Sequence, residues 1–204
     1  MNSLRTKDIV QFLKNNIEPI EDKFYGKGYR ATAYLTDGTC LPCVEFRSVG
    51  NITNLAIRRF KEELSGKSIF GKSSGLGYYE IVKSFVAQGN CVNDYSIAKV
   101  EKSKYAFPLQ IIKQIKGETS MGWTGFVAKM KDGNIFAFGT DFHFSFFEMP
   151  PDYHSDDIIE IINHSYIGSD GEIKSHHEFN PNPDLSIQTV FRSKPFFECF
   201  MDDL

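Results

Sequence analysis

Three stretches of alternating apolar and polar residues run into an Asp-Gly pair and alternate again beyond it: Asp37-Gly38, Asp132-Gly133 and Asp170-Gly171. A two-residue hairpin turn needs positive φ at its centre, which Gly adopts without steric cost, so each pair predicts an antiparallel hairpin. Around the first, Tyr29, Ala31, Ala33 and Leu35 share one face and Arg30, Thr32, Tyr34 and Thr36 the other, with a return strand over 41–46. Around the second, residues 123–130 and 135–138 pair, and 143–148 continues the meander until Pro150-Pro151 breaks it. Segments 158–167 and 172–176 flank the third. Residues 187–192 and 196–201 read as two closing strands.

The first half also carries helical spacing. Ile9, Val10, Leu13 and Ile17 recur at i, i+4 and i+8, predicting a helix over 6–17 with Thr6 as N-cap and Pro19 beyond its end. Leu55, Ile57, Phe60 and Leu64 predict a second over 54–64, stopped at Gly66. A third is expected over 78–88, closed by Gly89-Asn90. Between 91 and 117 the pattern is ambiguous: 95–100 suits a strand, and Pro108 opens either a strand or a short helix.

Together these elements predict an α+β fold, a largely antiparallel sheet built from hairpins with two or three N-terminal helices on one face, a half-barrel being a variant. At 204 residues the chain is expected to form a single domain. Laying Asp37-Gly38 on Asp132-Gly133 puts Ala33 on Ala128, Leu35 on Met130, Leu41 on Phe136 and Cys43 on Phe138. A duplicated hairpin unit near 24–47 and 119–142 would leave this pattern, although any two amphipathic hairpins align comparably.

Composition narrows the class. Nineteen Phe and nine Tyr against one Trp favour packed sheets. A net charge of −3 lacks the basic footprint of a nucleic-acid binder, although Lys99, Lys102, Lys104, Lys113 and Lys116 lie close in sequence. The opening residues predict no secretory signal, and no window approaches about 20 apolar residues. Four scattered Cys suit a reducing compartment, so a cytoplasmic location is expected.

Several strings look catalytic. Residues 66–73, Gly-Lys-Ser-Ile-Phe-Gly71-Lys72-Ser73, satisfy the phosphate-loop pattern G-x-x-x-x-G-K-S/T, in which Lys72 would reach phosphate oxygens and Ser73 bind Mg²⁺. The mechanism needs a buried strand before the loop, yet a charged helix face precedes it here. A Gly/Ser/Lys linker explains the string more simply, with a single anion at the following helix start as a weaker version. Pro151-Asp152 with Glu172-Ile-Lys174 resembles the PD-(D/E)xK pattern of metal-dependent nucleases, where two carboxylates hold Mg²⁺ and the ammonium orients water. Those enzymes flank the motif with helices, which this segment lacks. Cys40-Leu-Pro-Cys43 resembles the redox pair of thioredoxin-like proteins, but follows a turn rather than opening a helix. Asp141, His143, Glu148, His154, Asp156, Asp157, His164, His176, His177 and Glu178 form an acid- and histidine-rich stretch where a polar site would first be sought.

None of these strings passes its contextual test, and the residues identify no family. The expected function is therefore a non-enzymatic protein-binding module, such as an inhibitor, an immunity-type protein or a regulatory partner. Tyr34 and Trp123 are the expected anchors, and Asp152, Asp156 and Asp157 the acidic contacts. No cofactor, metal, membrane or nucleic acid is expected. The alternative is a metal-dependent phosphodiester hydrolase using Asp152, Glu172 and Lys174, assisted by His154 or His176.

Overall fold

The computed structural model describes residues 1–22, 25–65, 89–141, 144–176 and 190–204. The chain divides into two compact units, Met1–Lys102 with Phe196–Leu204, and Ser103–Pro195. The first unit runs α1 (Thr6–Asn16), β1 (Ile20–Asp22), β2 (Gly26–Leu35), β3 (Cys40–Ser48), α2 (Val49–Leu64) and β4 (Ile97–Lys102). The second runs α3 (Leu109–Ile112), β5 (Thr124–Met130), β6 (Ile135–Thr140), β7 (Ile158–Asn163), β8 (Ser165–Ile167), β9 (Ile173–Ser175) and β10 (Val190–Arg192). The chain then returns to the first unit as β11 (Phe197–Met201). The fold is α+β and its sheets are largely antiparallel. Among the described residues no sheet closes into a barrel.

In the first unit β2 is central. It pairs with β3 on one side and with β1 and β4 on the other, and β11 adds to β3 in parallel. Ile9, Val10 and Leu13 of α1 pack with Tyr29, Ala31, Ala33, Val44, Phe46 and Met201, so the alternation of β2 buries the predicted face. Thr6 is the first helical residue rather than the cap; Arg5 flanks the helix and Thr6 donates its hydroxyl proton to Asp94. Helix α2 starts at Val49, not 54, because Ile52 extends its apolar stripe by a turn. That stripe runs through Ile52 and Leu55, leaving Ile57 on the outer face, 47% exposed.

The second unit follows the order β10-β6-β5-β7, with β8 and β9 as a separate hairpin. Its core is aromatic: Phe107 stacks on Phe147 at 4.6 Å and Phe126 on Phe138 at 5.4 Å between ring centroids. Pro108 precedes a short helix. In 144–148 the chain makes only isolated bridges, Ala106 with Phe146 and Phe147 with Ser193, instead of a meander strand. The single strand expected over 158–167 is broken at His164, whose φ of 52° ends the extended run between β7 and β8. The helix expected over 78–88 and the loop at 180–184 lie outside the described residues.

All three Asp-Gly pairs form turns, with φ of 94°, 90° and 80° at Gly38, Gly133 and Gly171. The first two head the same construction. In each unit a hairpin (β2–β3, β5–β6) takes an antiparallel strand on its first member (β4, β7) and a parallel strand on its second (β11, β10). The details repeat. A register shift falls at Tyr34/Leu35 and at Lys129/Met130. A 3₁₀ turn precedes β4 at Asp94–Ser96 and β7 at Ser155–Asp157. The amides of Thr36 and Lys131 donate to Ser96 and Asp157 carbonyls, each at 2.9 Å. One difference separates the hairpins: β3 carries an extra residue opposite β2 between Ala31 and Ala33, so Val44 rather than Cys43 takes the place of Phe138.

Candidate functional site

The shared strand path makes the two sheets comparable position by position on the face away from the packed core. In the first unit the row across β2, β3 and β11 is Arg30, Glu45 and Glu198. In the second the same row across β5, β6 and β10 is Gly125, Gly139 and Arg192. The first row is filled with charge: Arg30 and Glu45 are buried, and Arg47 Nη2 donates to Glu45 Oε1 at 2.7 Å. The second row has glycine at two of its three positions, and a cleft of about 540 Å³ opens there. A strand-interior Gly commonly marks such a close approach.

Trp123 occupies part of the vacated space. A Cβ on Gly139 would lie 1.9 Å from Trp123 Cζ2, so the indole rests directly on the strand backbone. The Arg192 guanidinium sits over the indole, its Cζ 4.5 Å from the ring centroid. Such a contact contributes about 0.5–1 kcal/mol when exposed. The opposite wall is the β8–β9 hairpin, hung on β5 through His164. The His164 amide donates to the Gly125 carbonyl at 3.0 Å, and the His176 amide to the His164 carbonyl at 2.8 Å. Thr119 braces the same corner, its hydroxyl accepting from the Gly125 amide at 3.0 Å and lying 3.1 Å from His164 Nδ1. Tyr166 and His176 then face the cleft with ring centroids 4.9 Å apart. At the rim the Ser120–Trp123 turn, closed by the Trp123 amide on the Ser120 carbonyl at 2.9 Å, presents Met121 with 99% of its surface exposed.

Comparison with protein-family models, curated proteins and solved structures finds no match to this chain. The cleft's chemistry therefore rests on its own residues. It offers flat aromatic surface and one guanidinium, and no Asp or Glu lines it among the described residues.

Of the other sequence candidates, Tyr34 is part of a surface cluster, with Lys99 Nζ 5.2 Å from its ring and its hydroxyl pKa raised by a hydrogen bond to Glu101. Asp152 is exposed in a turn at φ 67°. Asp156 is exposed, whereas Asp157 pairs with Lys131 at 3.3 Å and accepts from the His154 amide. Lys174 Nζ pairs with Asp170 at 2.7 Å and, with the Glu172 amide that also donates to it, holds the Asp170 carboxyl below the usual range. Among the described residues no group of three or more His, Cys, Asp or Glu is placed to hold a metal ion. Cys40 is exposed and Cys43 buried; burial pushes the Cys199 thiol up to about 12. Gly71, Lys72, Ser73, His143, His177 and Glu178 lie outside the described residues.

The sequence singles out Trp123 as an anchor, His176 as an assistant of the alternative hydrolase and Tyr166 as sharing a face with His164, but gives no role to Gly125, Gly139 or Arg192. Paired glycines inside two adjacent strands were the available signal. The vacated backbone is what seats the indole, so Gly139→Ala is expected to expel Trp123. The emission of this single Trp then shifts to the red, and stability falls by about 1–3 kcal/mol through overpacking. Unchanged emission would show that the indole does not depend on Gly139.

Proposed function

We propose that this protein is a non-enzymatic binding module that engages a partner protein through the cleft of its second unit. The observation that carries this reading is the exchange of Arg30 and Glu45 for Gly125 and Gly139 at matching positions. The two units are treated as copies of one module: the first closes its outer face with buried charge, the second leaves it open. Trp123 and Tyr166 supply rigid aromatic area at small rotamer cost, and Met121 adds an adaptable apolar contact at the rim. Inhibitor, immunity-type and regulatory roles all suit such a surface. Cytoplasmic residence suits four cysteines with no disulfide among them. Among the described residues no helix is long and apolar enough to cross a membrane.

The test is photo-crosslinking in extract of the native host, with a benzophenone amino acid replacing Met121 and, separately, the exposed Tyr95 of the first unit. A discrete adduct from position 121, absent from position 95 and lost with Trp123→Ala, supports the reading. Adducts that survive Trp123→Ala, or arise equally from position 95, contradict it.

A further inference from the structure

We infer that the cleft receives a carboxylate side chain, Asp or Glu, from the partner protein and that Arg192 binds it. The inference rests on the reading of the cleft as a protein-binding surface and names the group recognised there.

Four observations converge on it. First, Arg192 forms no ion pair and no side-chain hydrogen bond among the described residues, and its guanidinium lies over the Trp123 ring. Several cations elsewhere are matched, Arg47 with Glu45, Arg59 with Glu62, Lys131 with Asp157, Lys174 with Asp170 and Lys194 with Glu148, whereas Lys104, like Arg192, meets an aromatic ring. Second, the stacking on Trp123 limits the guanidinium's freedom before a ligand arrives, while its edge N–H groups remain available as a fork matching a carboxylate. Third, among the described residues the cleft is lined by Arg192, His176 and Tyr166 and by no Asp or Glu. Fourth, the matching row of the first unit already shows the complement. There Glu45 stands where Gly139 is and Glu198 where Arg192 is, and the Glu45 carboxylate takes a hydrogen bond at 2.7 Å from Arg47, outside the row. In the second unit the row holds no carboxylate, and Arg192 is its one charged side chain.

A single guanidinium suits a singly charged carboxylate better than a phosphate dianion, which is generally held by a cluster of arginines. The net charge of −3, and a lining with no further lysine or arginine among the described residues, disfavour a nucleic-acid strand. The exposed Met121, in the turn that carries the cleft residues Ser120 and Trp123, points to a partner with apolar surface around its acidic residue.

Trp123 is the only Trp, so its fluorescence reports on the cleft directly. The intact protein is titrated at low salt with end-blocked peptides that differ only in a central Glu or Gln between apolar residues, up to millimolar concentration. A saturable change with the Glu peptide, about tenfold weaker with the Gln peptide, is expected from loss of one charge-assisted contact. Arg192→Gln should erase the preference between the two peptides, and Arg192→Lys should keep part of it, both with unchanged circular dichroism. Equal binding of Glu and Gln peptides, a preference that survives Arg192→Gln, or no response to either peptide overturns the inference. So does tighter saturation by a phosphoserine peptide or an oligonucleotide. If the crosslink from position 121 still depends on Trp123 in any of these cases, the partner-binding reading stands and only the carboxylate assignment falls.

Discussion

Replacing Glu45 by Gln lowers the stability of the first unit by about 3–5 kcal/mol, the usual cost of breaking a buried pair from one side. Glu45 is 1% exposed, with Arg30 beside it in the register and Arg47 hydrogen-bonded to it. Burial pushes the Arg30 guanidinium down to about 10, far enough above neutrality that it stays charged in the fold. Gln keeps the shape and an amide oxygen for the Arg47 hydrogen bond, but it leaves two buried cations with their nearest counter-charge removed. Burial of the charge, rather than the hydrogen bond alone, is therefore what the substitution reads. Urea denaturation followed by far-ultraviolet circular dichroism measures the loss. The triple replacement Arg30→Met, Glu45→Leu and Arg47→Met should recover much of it, because apolar side chains of similar volume need no counter-charge. A loss below about 1 kcal/mol, the range of exposed ion pairs, would show that water reaches the network.

The second large effect lies in the other unit. Phe147→Ala is expected to cost about 3–5 kcal/mol, as truncation of a buried Phe generally does. Phe147 is fully buried, stacks on Phe107 and meets the edges of Phe126 and Phe138 at 5.7 and 6.2 Å. Phe126 and Phe138 follow Gly125 and precede Gly139, so they point into the core from the strand positions next to the cleft floor. A cavity beneath them loosens the backbone on which Trp123 rests. Trp emission should therefore shift to the red in Phe147→Ala at denaturant concentrations that leave the wild type folded. Coincident loss of stability and an unmoved Trp signal would separate the core from the cleft and weaken their proposed coupling.

Much of the fold was legible because its turns are chemical. Asp-Gly fixes the position and direction of each hairpin, and the alternation of Ala31, Ala33, Phe126 and Ala128 tells which face is dry. The parallel additions of β10 and β11 were not legible, since short closing strands carry no local sign of their partner or direction. The break at His164 was also hidden. A left-handed residue inside an apolar-rich run has no composition signal when it is neither Gly nor Asn. In the site, Trp123 stood out as the lone indole, whereas Arg192 is one basic residue among many until the register sets it against Gly139. The extra residue of β3 hid the rest. It shifts the row so that Glu45 and Gly139 coincide only once pairing, not sequence offset, defines equivalence.

The most direct test of the central claim is hydrogen–deuterium exchange of the purified complex with the crosslinked partner, compared with the protein alone. The account predicts added protection at 119–126, 165–167 and 190–192, with residues 28–34 and 43–47 of the matching strands unchanged. Protection confined to the first unit, or spread equally over both sets of strands, would contradict it.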